Sequence, residues 1–183
     1  MKRSRGIAIT AIALTATSLA GVTAGTGGAQ PPRAGDLATG SALNQFPTPA
    51  GPGFSHLSVA AHSDASGLHP RGNVHASGTT TVAPNGEFHV QGPVTCLRVD
   101  GNRAAIKYRF NQATGSAAPF KGGGVEVFVE DNGEPRHGQP VDANAARPPE
   151  PQGVFDATAT QCDDPNSATY DTVSSGNYVV RDR

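Results

Sequence analysis

The chain has 183 residues, with 14 Lys+Arg against 15 Asp+Glu, 23 Gly, 15 Pro, two Cys and no Trp. So even a charge balance excludes the basic footprint that general nucleic-acid binding requires. Gly and Pro at this level disfavour helix interiors and favour turns, which points to short strands joined by many turns.

In chain order, "MKRSRGIAITAIALTATSLAGVTAGTGGAQPP" places Lys2, Arg3 and Arg5 ahead of an uncharged run from Gly6 to Ala20 and a series of small residues. This is the pattern of a Sec signal peptide over residues 1–24, with cleavage after Val22-Thr23-Ala24 or as late as residue 29. A membrane anchor is the competing reading, but the run is short for a bilayer and rich in Thr, Ala and Gly. No Arg-Arg pair precedes it, which argues against the twin-arginine route. The expectation is a secreted, extracellular protein with no membrane span after processing. Without residues 1–24, 11 Lys+Arg stand against 15 Asp+Glu, a formal charge of −4.

Residues 25–51 are small, polar and broken by Pro and Gly, and are read as a disordered linker that buries too little apolar surface to offset its ordering entropy. The β domain is expected over 52–183. Leu57, Val59 and Ala61 alternate with Ser58 and Ala60, and such period-two alternation marks a strand. "NVHASGTTTV" is β-rich, and "APNGEFHV" sets an Asn85-Gly86 turn before Phe88 and Val90, a hairpin signal. "VTCLRVDGNRAAIKYRF" reads as a second hairpin about Asp100-Gly101 or Gly101-Asn102. Either turn puts Leu97 and Val99 on one face with Ala104, Ile106, Tyr108 and Phe110, and leaves Cys96, Arg98, Arg103, Lys107 and Arg109 on the other. Val125, Val127 and Val129 form the next strand, expected to pair with Phe110 opposite Val125 and Arg109 opposite Glu126. "EPRHGQPVDANAARPPEPQG" is too polar and Pro-rich for regular structure, and long loops of this kind are often functional. "GNYVVRD" closes the chain as a last strand. Seven or eight strands make an all-β fold, a single antiparallel β-sandwich or small barrel with long irregular loops.

Two cysteines in an exported chain most simply form one disulfide, Cys96 to Cys162, which would pin "TQCDDPNS" to the hairpin. A nucleophilic Cys96 would need a free thiol of lowered pKa.

"VTCLRVDGNRAAI", "VEDNGEP", the later Cys162 and the terminal "GNYVVRD" together resemble a family of small secreted bacterial β-domain proteins of uncharacterised function, with a V-T-C-L, G-N-R-A, D-N-G-E-P and G-N-x-V-V pattern. The resemblance covers roughly residues 54–183. It implies a β-rich domain, export and the cysteine pair, and brings no activity with it.

Four kinds of chemistry were weighed. "EDNGEP" and "CDDPNSATYD" invite a calcium reading, but neither matches the fixed oxygen spacing of an EF-hand loop, and turn chemistry accounts for both. His56, His75 and His89 fall in strand-like runs and could meet across neighbouring strands. No pair has the spacing of a known zinc motif, so no metal ligand and no cofactor is assigned. G-x-S-x-G and S-x-x-K are absent, which leaves only a dispersed hydrolase site and no catalytic residue to name. Arg98, Arg103, Lys107 and Arg109 form the candidate binding face, suited to an anionic glycan, a cell-wall polymer or an acidic protein; the competing and favoured reading is a solvated sheet face on which Glu126 and Glu130 interleave as ion pairs. The function expected is a secreted, non-catalytic binding module, with a secreted hydrolase or an extracellular metal-binding protein as alternatives.

Overall fold

The computed structural model describes residues 35–48, 51–64, 66–79, 86–134 and 141–182; the signal-peptide reading of 1–24 and the Asn85 half of the expected turn lie outside them. The strands are β1 (Leu37–Thr48), β2 (Gly51–His62), β3 (Arg71–Thr79), β4 (Glu87–Asp100), β5 (Arg103–Arg109), β6 (Gln112–Gly115), β7 (Gly124–Glu130), β8 (Ala143–Ala146), β9 (Asp171–Thr172) and β10 (Ser175–Arg181). One short helix, α1 (Gln152–Thr158), and 3-10 turns at Ala118–Phe120 and Pro165–Ser167 complete them. Every strand pair is antiparallel. The spatial order is β10-β1-β2-β3-β4-β5-β7-β8-β9, with β6 on β4, in one sheet curled into a half-barrel.

The all-β, antiparallel expectation therefore holds, but two stretches are corrected. Residues 37–48 lie inside the expected linker and instead form β1, paired with β2 on one side and β10 on the other. Their side chains are small, and that is what a crowded inner face accepts: Ala38 and Ala42 are both buried. Backbone pairing on both edges supplies what their apolar area cannot. The polar segment after Glu134, expected to lack regular structure, holds β8, whose Asn144 is buried.

The hairpin β4–β5 turns at Gly101-Asn102, with Asp100 opposite Arg103 and Leu97 opposite Ile106. Gly101 has φ +61, a left-handed conformation that glycine adopts without steric cost. Upstream, β4 carries a bulge between Val94 and Cys96: Val94 pairs with Tyr108, and Cys96 with Lys107. The extra residue reverses the parity of the strand. Before the bulge Val90 and Val94 face inward; beyond it Leu97 does, and Cys96 is left on the outer face, apart from the main core.

β7 pairs with β5 as expected, but two residues out of the expected register. Tyr108 meets Val125, Ile106 meets Val127, and Lys107, not Arg109, meets Glu126. A slip of two residues leaves every side chain on its expected face while changing every partner.

Across the curl, β10 is joined to the β7–β8 region by side chains. Asp131 accepts from the Val180 amide at 3.0 Å, and Asp142 from the Tyr178 amide at 2.5 Å. Asn144 donates to the Tyr178 hydroxyl at 2.8 Å and accepts from Asn44 of β1 at 2.6 Å. Asp142 also accepts from the Asn132 amide at 2.9 Å.

The inner face is one apolar cluster built largely of small side chains, among them Ala38, Ala42, Ala61, Ala76, Ala104 and Ala113 with Val59, Val74, Val90 and Val129. Tyr108 and Tyr178 are its largest fully buried members.

Candidate functional site

On the outer face of β4, β5 and β7, which carries the candidate binding residues, the chain itself covers much of the surface. The segment 152–167 lies across it, and Cys96, Ala105, Lys107, Glu126, Phe128 and Phe155 are all buried there. Phe155 of α1 is fully buried against Gly124, where an added Cβ would come within 2.4 Å of its ring. Burying such a ring contributes about 1.5–3 kcal/mol. Cys96 and Cys162 are placed as a disulfide, Cα atoms 5.7 Å apart, fastening the end of the segment to β4.

Each of the four cations assigned to a binding face has a partner within the chain. Arg98 pairs with Asp164 at 3.3 Å and Arg103 with Glu130 at 2.7 Å. Lys107 lies 4.0 Å from Glu126 and donates to the Thr158 hydroxyl at 3.1 Å. Arg109 pairs with Asp156, donates to the Gly122 carbonyl and stacks on the Phe155 ring. All four side chains reach the covering segment, Arg103 through a hydrogen bond to Asn166 at 3.1 Å, and the sequence alone did not show that it folds back. Arg103 meets Glu130 because the two lie directly opposite each other in the β5–β7 ladder.

Glu126 is the buried charge of this layer. Burial pushes its carboxyl above the ordinary glutamate range, against the pull of the Asp163 amide, Lys107 and Arg147. A carboxyl raised in the folded state contributes most in acid, and its contribution declines as pH rises through the raised value. Urea unfolding of wild type and Glu126→Gln between pH 4 and pH 7 is expected to show the variant gaining on the wild type as pH rises. A constant difference across that range would refute the shift.

The turn readings of the acidic stretches hold among the described residues. Asp131 accepts from the Gly133 amide at 2.9 Å, and Asp164 caps the 3-10 turn by accepting from the Asn166 amide. Asp163 pairs with Arg147.

The inner face is not filled. A cavity of about 570 Å³ lies within the curl, walled by Leu57, Ala76, Val90, Tyr108, Phe110, Val125 and Val127, with Phe46, Phe88 and Phe120 alongside. A closed barrel of about eight strands is just wide enough for its side chains to fill. Here the curl is wide and its inner positions are mostly Ala and Val, so volume is left over. The polar groups on the wall include Asn44, Ser55, Ser116 and Asn144, with the charged Arg147, next to β8, and Asp171 of β9 also lining it. The sequence reading missed this site because Asn44 and Phe46 sat in the supposed linker and Asn144 in the supposed loop. The excess of Ala over large apolar residues at inward positions was the available signal.

The third feature is a row of histidines on the outer face of β2, β3 and β4, which the sequence reading did bring together. His75 Nε2 lies 3.4 Å from His89 Nδ1, and the His56 and His75 ring centroids are 6.2 Å apart. His56 Nε2 is hydrogen-bonded to the Ser41 hydroxyl at 2.7 Å. Burial, then the neighbouring His89 and His56, lowers the pKa of His75 below the ordinary histidine range.

Comparison with protein-family models, with curated proteins and with solved structures finds no match. The functional reading therefore rests on the geometry of this chain. No helix among the described residues is long and apolar enough to cross a membrane.

Proposed function

We propose that this chain is an exported, non-catalytic binding module and that its ligand is a small, largely apolar molecule held in the curl of the sheet. The observation that carries this reading is the 570 Å³ apolar cavity. Its volume lies in the range of roughly 300–1,000 Å³ typical of small-molecule sites, and such sites combine an apolar wall with a few placed polar groups. Seen this way the sheet is a small open barrel rather than a sandwich, since a sandwich would fill the space between its faces with side chains. The disulfide supports an oxidising destination, which agrees with the signal-peptide reading and with the resemblance to small secreted bacterial β-domain proteins.

This reading replaces the anionic partner expected on the outer cations, because those cations are engaged within the chain. It is preferred to hydrolysis because, among the described residues, the cavity wall includes Ser55 and Ser116 but no histidine to activate either. Titration with the apolar fluorophore N-phenyl-1-naphthylamine is expected to show saturable, one-to-one binding. Val127→Phe, which projects a ring into the cavity, should weaken that binding at least tenfold while leaving the circular dichroism spectrum unchanged. Equal binding by the variant, or no saturable binding by the wild type, would reject the cavity as the site.

A further inference from the structure

The outer face of β2, β3 and β4 is separate from the cavity and carries chemistry that the cavity does not use. We infer that His56, His75 and His89 make a seat for a late first-row divalent cation of the zinc type. In the ladder, His56 and His89 both oppose Ser77, while His75 opposes Ser58 and Gln91, so the imidazoles lie diagonally across three adjacent strands. Leu57, Val74, Ala76 and Val90 alternate with them and point into the core, which fixes all three histidines on the outer face.

The closest pair has the right separation. Zinc binds imidazole nitrogen at about 2.0–2.1 Å, so an ion equidistant from two nitrogens 3.4 Å apart would see them about 110° apart, near the tetrahedral angle. The ring centroids of His75 and His89 are already 4.6 Å apart. His56 supplies the third ligand by turning its ring from Ser41 toward His75. That rotation is needed because, as they stand, no group of three or more His, Cys, Asp or Glu among the described residues is placed to hold a metal ion.

The donor set decides the class of ion. Neutral imidazoles suit zinc, nickel and copper, whereas calcium and magnesium require oxygen ligands. The cross-strand partners Ser58, Ser77 and Gln91 carry no charge, so no cation sits directly opposite the seat to repel the ion.

Calorimetric titration of the purified exported chain with zinc chloride at pH 7.5 tests this. One ion per chain is expected, with affinity falling at least tenfold in His75→Ala and in His89→Ala, and several-fold in His56→Ala. Absence of zinc binding by the wild type would overturn the proposal. So would unchanged binding by the His75→Ala/His89→Ala double variant, which would place the ion elsewhere. Imidazole NMR of the wild type guards against a variant that does not fold. Zinc should perturb the His75 and His89 rings first, and a response confined to His62 or His69 would also overturn the assignment.

Discussion

Replacement of Cys96 by Ser is expected to destabilise the oxidised protein by roughly 4 kcal/mol. Cys96 and Cys162 are 66 residues apart, and in the chain-entropy model closing a loop of that length restricts the unfolded ensemble by about that amount. For a chain of this size the loss corresponds to a fall in Tm of about 10 °C. The folded state shows why the effect should be global. The disulfide fastens the segment that buries Phe128, Lys107 and Glu126, so releasing it exposes one buried layer of the sheet. Cys162→Ser should lose the same amount, because both variants remove the same closure. Thermal unfolding of wild type and both variants under non-reducing conditions checks this, and reductant should bring the wild type to the variants' Tm. Three equal melting temperatures would show that the bond contributes nothing.

Asp142→Ala should cost about 3–5 kcal/mol, the loss typical of removing one partner from a buried charged hydrogen-bond network. Asp142 is 1% exposed. Its two carboxylate oxygens accept from the Asn132 and Tyr178 amides. Burial pushes its carboxyl up, and those two amides pull it back. Alanine would leave both donors without an acceptor in a dry site. Asp142→Asn keeps one acceptor oxygen and should lose less than half as much. Denaturant titration of the two variants distinguishes these outcomes, and equal losses would mean that the side chain's volume matters more than its oxygens.

The parts of the fold that were legible in the sequence are those where a half-buried strand writes its own period. Ile106, Tyr108, Val125 and Val127 alternate with polar residues, so their strands and inward faces could be read without knowing the register. β1 was not legible, because its inward residues are Ala38 and Ala42 and its pairing rests on backbone groups that every residue carries. The covering of Arg98, Lys107 and Arg109 was hidden for another reason. It depends on 152–167 returning to strands some 50 residues earlier, and local periodicity does not encode a contact at that range. The cysteine pair was the longest-range contact that the sequence announced. The cavity lay between these cases, since small inward residues were visible but the curl that leaves space between them was not.

The carboxylates of Asp131 and Asp142 also bear on how copies of this protein behave toward one another. β10 is paired on one side only by β1, and a strand so placed ordinarily offers its outward amides to another chain, the first step in edge-to-edge aggregation. Here the outward amides of Tyr178 and Val180 are already taken by those two side chains. An incoming strand would have to displace a carboxylate, that of Asp142 buried, for each of these two hydrogen bonds it formed. The residues that hold the curl together thus also shield its terminal strand from templated assembly, and so favour a β-rich chain that stays dispersed.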